Sequence, residues 1–232
     1  MESVVKVENL IKKKGKREIL HKVNLEIKKG EVAGFLGPNG AGKTTTLKCI
    51  LGLYHYMGKI HIKGLNAEKE YKKVSRLISG LIEEPCFYPN LTGMDNLKIN
   101  MMMHFGKVSQ VKIDEIVQNL KLEKFITNKV KMYSLGMKQR LGIGIALSSE
   151  PEIILLDEPM NGLDPDGIKD LRELLLTLAH KDGKAILVSS HILSEMQLLC
   201  DRVIFIKDGS IVGNEHVSEN LEERYMDVMK EI

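Results

Sequence analysis

Short apolar runs alternate with stretches of helical spacing along most of the chain. Near the start, residues 4–8 and 19–27 read as strands. In the second of these Val23, Leu25 and Ile27 alternate with polar neighbours, the period of a half-buried strand. Residues 32–36, VAGFL, are wholly apolar or small and run into a glycine-rich loop, with a helix predicted to begin near Gly42. Residues 153–156, 185–188 and 203–206 are further short apolar runs, of the kind produced by strands buried on both faces. Helical stretches such as 168–180 separate them, and Asp208-Gly209 between two apolar runs predicts a hairpin. This alternation predicts an α/β fold with a mainly parallel sheet covered on both sides. Residues 88–150 depart from the pattern. There Ile113, Ile116, Val117 and Leu120 follow helical spacing and strand signals are absent, which predicts a helical lobe inserted in the α/β core. Met101, Met102 and Met103 fall in that lobe, as core filler on a helix or as a pliable docking face.

At 232 residues the chain fits one large domain, or one domain with a small lobe. Lys and Arg exceed Asp and Glu by only three, and no aromatics interleave with a basic stripe, so nucleic acid is not an expected partner. The densest basic run, residues 12–17 around Gly15, reads as a solvated turn between strands. Cys49, Cys86 and Cys200 are far apart and lack CxxC spacing, which argues against a disulfide framework or a zinc site and suits a reducing compartment. No stretch approaches the roughly 18 apolar residues that span a bilayer, and the first residues lack a signal-peptide layout. The expectation is a cytosolic chain that reaches a membrane only through a partner.

Residues 37–45, GPNGAGKTT, match G-x-x-x-x-G-K-[ST] after a strand and at the opening of a helix. Gly37, Gly40 and Gly42, with Pro38, Asn39 and Ala41 between them, allow several backbone N–H groups to face one point. With the helix N-terminus they make a phosphate site. Lys43 adds charge for the β and γ phosphates, and Thr44, followed by Thr45, offers a hydroxyl to Mg²⁺. Residues 153–159, IILLDEP, put two carboxylates at the C-terminal end of a buried strand, where ligands of α/β sheets bind. Asp157 is the expected holder of the Mg²⁺ water shell, and Glu158 the group that accepts a proton from an attacking water. Residues 133–140, YSLGMKQR, lead into a helix over 141–149 with Ser134 as N-cap and Gly136 permitting close backbone approach, a second anion-seeking helix start.

These motifs, with the later NGLDP and VSSH, stand in the order and spacing of ABC ATPases, which the chain resembles over nearly its whole length. Its details look most like the ATP-binding subunits of bacterial bacitracin- and lantibiotic-type exporters. The resemblance implies a P-loop NTPase (RecA-like) core with an N-terminal antiparallel β subdomain. Core and β subdomain would take about residues 1–87 and 151–232, and an inserted α-helical subdomain about 88–150. It implies that Asp164 lies in the loop joining two active sites, that His191 contacts the γ-phosphate and the catalytic water, and that Ser134 and Gly136 reach the nucleotide of the other subunit. ATP and Mg²⁺ are then the cofactors. The partners are a separate membrane permease and a second copy in an ATP-dependent head-to-tail dimer, and the location is the inner face of the cell membrane.

Four positions, in three motifs, depart from the family pattern. Leu135 replaces the first signature glycine and Met137 the glutamine. Glu83 stands where a Mg²⁺-sensing glutamine is usual, a feature shared with the lantibiotic-type subunits. Lys14 matches the aromatic that usually stacks on adenine. Other readings compete. A P-loop GTPase would want N-K-x-D, which 128–131 lacks, and a small-molecule kinase leaves the signature helix and His191 unexplained. A stand-alone regulatory ABC ATPase stays open. Nothing in the residues reads out a transported substrate.

Overall fold

The computed structural model describes residues 2–83 and 86–230. β1 (Ser3–Lys14) and β2 (Arg17–Lys28) form a long hairpin, β3 (Val32–Leu36) feeds α1 (Lys43–Ile50), and β4 (Met57–Ile62) and β5 (Leu65–Asn66) follow. α2 (Tyr71–Val74) precedes β6 (Ile78–Leu81). Then come α3 (Gly93–Phe105), α4 (Gln110–Asn119) and α5 (Leu135–Ser148) without a strand among them. β7 (Ile153–Asp157), α6 (Pro165–His180), β8 (Ala185–Ser190), α7 (Leu193–Leu199), β9 (Arg202–Lys207), β10 (Ser210–His216) and α8 (Leu221–Lys230) complete the order. Two sheets result: an antiparallel one in the order β2-β1-β4-β5, and a six-stranded one in the order β10-β9-β3-β8-β7-β6. The second is parallel except for β10, which pairs antiparallel with β9 at the sheet edge. Their hairpin turns at Asp208 and Gly209, with φ of 46° and 76°, the conformation the Asp-Gly pair predicts.

The apolar runs of the parallel strands serve two cores at once. Val32, Leu36, Ile154, Leu156, Ile186 and Val188 face the side that also takes α3 to α6. Ala33, Phe35, Ile153, Leu155 and Leu187 face α1 and the antiparallel sheet. Both faces are dry, so the strands carry no polar alternation. The period-3.6 residues Ile113, Ile116, Val117 and Leu120 are buried as the spacing predicts. The methionine triplet divides: Met101 is core, whereas Met102 and Met103 are exposed.

Capping moves two helix starts ahead of the apolar pattern. α5 begins at Leu135 rather than 141 because Ser134 Oγ accepts from Met137 N. α6 begins at Pro165 rather than 168 because Asp164 caps it and a proline at the first position is already set for helix. β4 and β6 carry weak sequence signals. β4 buries only Ile60 and Ile62, and β6 contains Gly80, where a Cβ would fall 2.4 Å from the Leu155 carbonyl oxygen. No helix of the described residues is long and apolar enough to cross a membrane.

One buried ion pair ties the sheets together at the entry to β3. Arg202 Nη2 donates to Glu31 Oε1 at 2.6 Å and to the Glu26 carbonyl at 2.8 Å, with both charged side chains almost fully buried. Removing one partner leaves a buried charge alone, so Glu31→Ala should lower the unfolding free energy by about 3–5 kcal/mol in urea titration. The double variant Glu31→Leu/Arg202→Met should lose far less. Equal losses in the two would show that unpaired charge is not the cause.

Candidate functional site

The loop between β3 and α1 is shaped by close approach. A Cβ at Gly37 would fall 2.2 Å from the Ile206 carbonyl oxygen, and Gly42 caps α1 in the left-handed region at φ 109°. With a glycine as cap, the first-turn N–H groups of α1 have no partner inside the helix and face the loop. Lys43 curls back over that loop, its ammonium donating to Gly37 O at 2.6 Å and Pro38 O at 3.3 Å. Burial pushes its pKa below the ordinary lysine range, and the nearby carboxylates of Glu158 and Asp157 oppose that shift. Pro38, Asn39, Gly40, Gly42, Lys43, Thr44, Thr45, Asp157 and Glu158 line one cavity of about 190 Å³.

The acids reach this cavity from β7. Asp157 is its last residue and is held by two hydroxyls: Thr44 Oγ1 donates to Oδ2 at 2.6 Å, and Ser189 Oγ donates to Oδ1. Glu158 turns sharply off the strand with φ 49°, a left-handed conformation that costs a non-glycine residue about 1–3 kcal/mol. Its N–H donates to Ser189 O and Ser189 Oγ, both at 3.1 Å, which holds the turn. His191 Nδ1 lies 2.8 Å from Glu158 Oε2, a hydrogen bond in which the ring N–H donates to the carboxylate. The carboxylate of Glu158 is thus set beside Lys43 and Thr44 with a histidine behind it.

The remaining predicted residues lie elsewhere. Ser134, Gly136 and Asp164 line a second, larger cavity of about 690 Å³ together with Met137 and Arg140. Asp164 Oδ1 accepts from Gly167 N at 3.1 Å and lies 3.6 Å from Arg140 Nη2. The structure therefore gathers Gly37 to Thr45, Asp157, Glu158 and His191 in one place, and Ser134, Gly136 and Asp164 in another.

The sequence pattern of the family described as ABC transporter matches residues 20–161. The lantibiotic transport ATP-binding protein SrtF of Streptococcus pyogenes is 43% identical over 96% of this chain and 96% of its own length. The chain belongs to the ABC transporter family. It is an ATP-binding subunit of that family, and an ATPase. The bacitracin transport ATP-binding protein BcrA of Enterococcus faecalis is also similar, 40% identical over 94% of this chain and 71% of that protein. Among solved structures, a dimeric ATP-binding cassette in a post-hydrolysis state bound to ADP and phosphate superposes with a TM-score of 0.84. It is 30% identical and covers 92% of this chain and 99% of its own.

In this ABC ATPase Glu83 does not join Thr44 and Asp157. Its Oε1 lies 2.7 Å from Lys48 Nζ, and φ is 60°. Lys48 stands one helical turn beyond Thr44 on α1 and also lies over the Tyr54 ring at 5.3 Å. The hydrogen bond to Glu83 raises its pKa, against the effect of burial. Glu84, weighed with Glu83 in the same loop, lies outside the described residues. Lys14 is exposed at the end of β1, opposite Arg17, so the basic run is a solvated hairpin turn as expected.

Sequence reasoning missed Ser189, Gln139 and Lys48. Ser189 had a signal, since VSSH puts a serine at the end of a buried apolar run, where a hydroxyl needs a partner. Ser189→Ala strips one oxygen of Asp157 of its donor and loosens the turn at Glu158. It should lower stability by about 1–3 kcal/mol and reduce kcat for ATP more than it raises KM. An unchanged kcat would mean that the turn at Glu158 holds without Ser189.

Proposed function

We propose that the chain powers export of an antimicrobial peptide or drug-like substrate, the peptide being favoured, through a separate membrane permease, working at the cytoplasmic face of the membrane as a head-to-tail homodimer. The peptide class is supported by the names of its relatives, the bacitracin and lantibiotic transport ATP-binding proteins. The dimer is supported by one observation above others: the phosphate-binding residues and Ser134, Gly136 and Asp164 line different cavities of the same chain. Two chains facing each other would bring each phosphate loop against the other's α5 start. On this reading residues 88–150 form the helical lobe, and the rest of the chain the core.

ATP would lie with its phosphates on the N–H groups of residues 39–45 and the ammonium of Lys43. Mg²⁺ fits the donors present. Thr44 and Asp157 supply hard oxygens side by side at the phosphate loop. That suits an ion held by one or two protein oxygens plus phosphates. When bound, it neutralises phosphate charge. Glu158 takes the proton of the attacking water, and His191, hydrogen bonded to it, keeps the carboxylate aimed. Ser134 and Gly136 of the second chain would donate to the γ-phosphate from the start of α5. Lys14 offers adenine a cationic chain in place of an aromatic face.

Glu158→Gln keeps shape but loses the base, so hydrolysis should slow by about 10²–10⁴-fold. ATP should still bind, and gel filtration with ATP and Mg²⁺ should show a dimer where the wild type returns to monomer. Cells carrying only this variant should become sensitive to a peptide antibiotic. A monomer that hydrolyses ATP normally would sink the mechanism, and unchanged resistance would sink the substrate class.

We also place Glu83 in the Mg²⁺ site once nucleotide is bound, released from Lys48 about one helical turn from Thr44. Glu83→Gln should keep its ATPase activity but need more Mg²⁺ for half-maximal rate. Matching Mg²⁺ titration curves for the variant and wild type would leave Glu83 as the partner of Lys48 alone.

A further inference from the structure

Gly162, in the loop between β7 and α6, sits under the first residue of α5. Its φ is 76°, and a Cβ built there would fall 2.6 Å from both Cγ and Cδ2 of Leu135. One residue along, a Cβ on Gly136 would fall 2.6 Å from the Gly162 carbonyl oxygen. Two further ties join the same helix end to the same loop. Gln139 Nε2 donates to Glu158 O at 3.4 Å, and Arg140 Nη2 lies 3.6 Å from Asp164 Oδ1. α5 therefore grips the loop at its start, middle and end. Leu135 keeps 56% of its surface exposed, so its place over Gly162 is not explained by core burial.

We propose that Leu135 is a positioning residue for hydrolysis: packed over Gly162, it clamps the 158–164 loop to α5. Glu158 and Asp164 are then set by the same helix end that presents Ser134 and Gly136. The inference rests on the reading of Ser134 and Gly136 as acting on a second chain's nucleotide. It adds that the base serving one ATP and the donors serving the other form one rigid unit. Two observations carry it. Glu158 holds a left-handed conformation, and beside the two bonds from its N–H to Ser189 its carbonyl accepts from Gln139 of α5. Leu135 also finds its space over the loop because residue 162 has no Cβ. Freed from the clamp, the loop carries Glu158 off line, and a misplacement of about 1 Å costs on the order of 10²-fold in rate.

The test uses the purified full-length chain, following ATPase kinetics and equilibrium binding of a fluorescent ATP analogue. Leu135→Ala should lower kcat about ten- to a hundredfold with KM and analogue binding little changed. Leu135→Met, which can still cover Gly162, should restore most of kcat. Gly162→Ala drives a methyl into Leu135 and should be slow. The double variant Leu135→Ala/Gly162→Ala should be faster than Gly162→Ala alone, because the two 2.6 Å collisions are gone and only a tight Cβ contact at 3.2 Å remains, even though the left-handed φ still penalises alanine. Losses that simply multiply in the double variant would overturn the clamp. So would a kcat loss in Leu135→Ala matched by lost analogue binding, which marks a damaged fold. Ser134→Ala, run alongside, separates the two ideas. A slow Ser134→Ala beside a wild-type Leu135→Ala overturns the clamp and leaves the shared site standing. Wild-type rates in both overturn the shared site and the clamp with it.

Discussion

The parallel register of β3, β8 and β7 is the constraint on which the site depends. Phe35 pairs with Ser189, and Ser189 pairs with Asp157, so three strands end on one line across the sheet. The phosphate loop leaves β3 at that line, the acids leave β7 there, and His191 follows β8. Because the strands are dry on both faces, a one-residue slip of β7 would exchange every side chain between two packed cores. The cost of that exchange fixes the register. The hydrogen bond from Thr44 to Asp157, across 113 residues of sequence, is therefore a consequence of packing before it is a piece of chemistry.

Charge inside the site is unbalanced in a way that suits its ligand. One ammonium, Lys43, faces two carboxylates, Asp157 and Glu158, within a single cavity. Phosphates would add more negative charge, so side chains alone cannot hold ATP there. What remains is the row of N–H groups at the start of α1 and, on the proposed reading, a Mg²⁺ that Thr44 and Asp157 would hold. The hydroxyls matter for the same reason. Ser189 and Thr44 each donate to Asp157, which steadies the carboxylate without adding a charge that would compete with the cation.

The parts of this arrangement legible in the sequence are those governed by local pattern. Apolar runs announced β3, β7, β8 and β9, the glycines and Lys43 announced the phosphate loop, and Asp-Gly announced the last hairpin. What escaped depends on contacts between distant residues. β6 is a four-residue strand made possible by Gly80 lying against Leu155, and nothing in ISGL says so. The buried pair of Glu31 and Arg202 looks in sequence like two ordinary surface charges. The partner of Glu83 is another such case. Its likeness to a metal-sensing glutamine concerns position, whereas Lys48 holds its carboxylate because α1 passes within 2.7 Å. The helix starts at Leu135 and Pro165 lay between these extremes, since Ser134 read as an N-cap although the apolar pattern began only at 141, and Asp164 was visible as a polar residue but only the fold shows it capping.

The start of α5 shows why one chain is an incomplete catalyst on this reading. Ser134 Oγ takes up one backbone N–H of the first turn, leaving its other N–H groups and the positive end of the helix to an external anion. Lys43, Asp157 and Glu158 line a different cavity, so α5 is not spent on the chain's own phosphates. Around that helix end Met132 and Leu135 expose 72% and 56% of their surfaces. Two exposed side chains give too little apolar area to hold two proteins together by themselves, since a specific interface needs roughly 1,200 Å² or more. In the proposed dimer the deciding attraction would then come from something each chain binds on one face and offers to the other. A nucleotide with its γ-phosphate held between Lys43 and a second α5 meets that need, and cleaving that phosphate removes the attraction. On the proposed head-to-tail dimer, assembly and hydrolysis would thereby be coupled through one charged group rather than through a permanent interface.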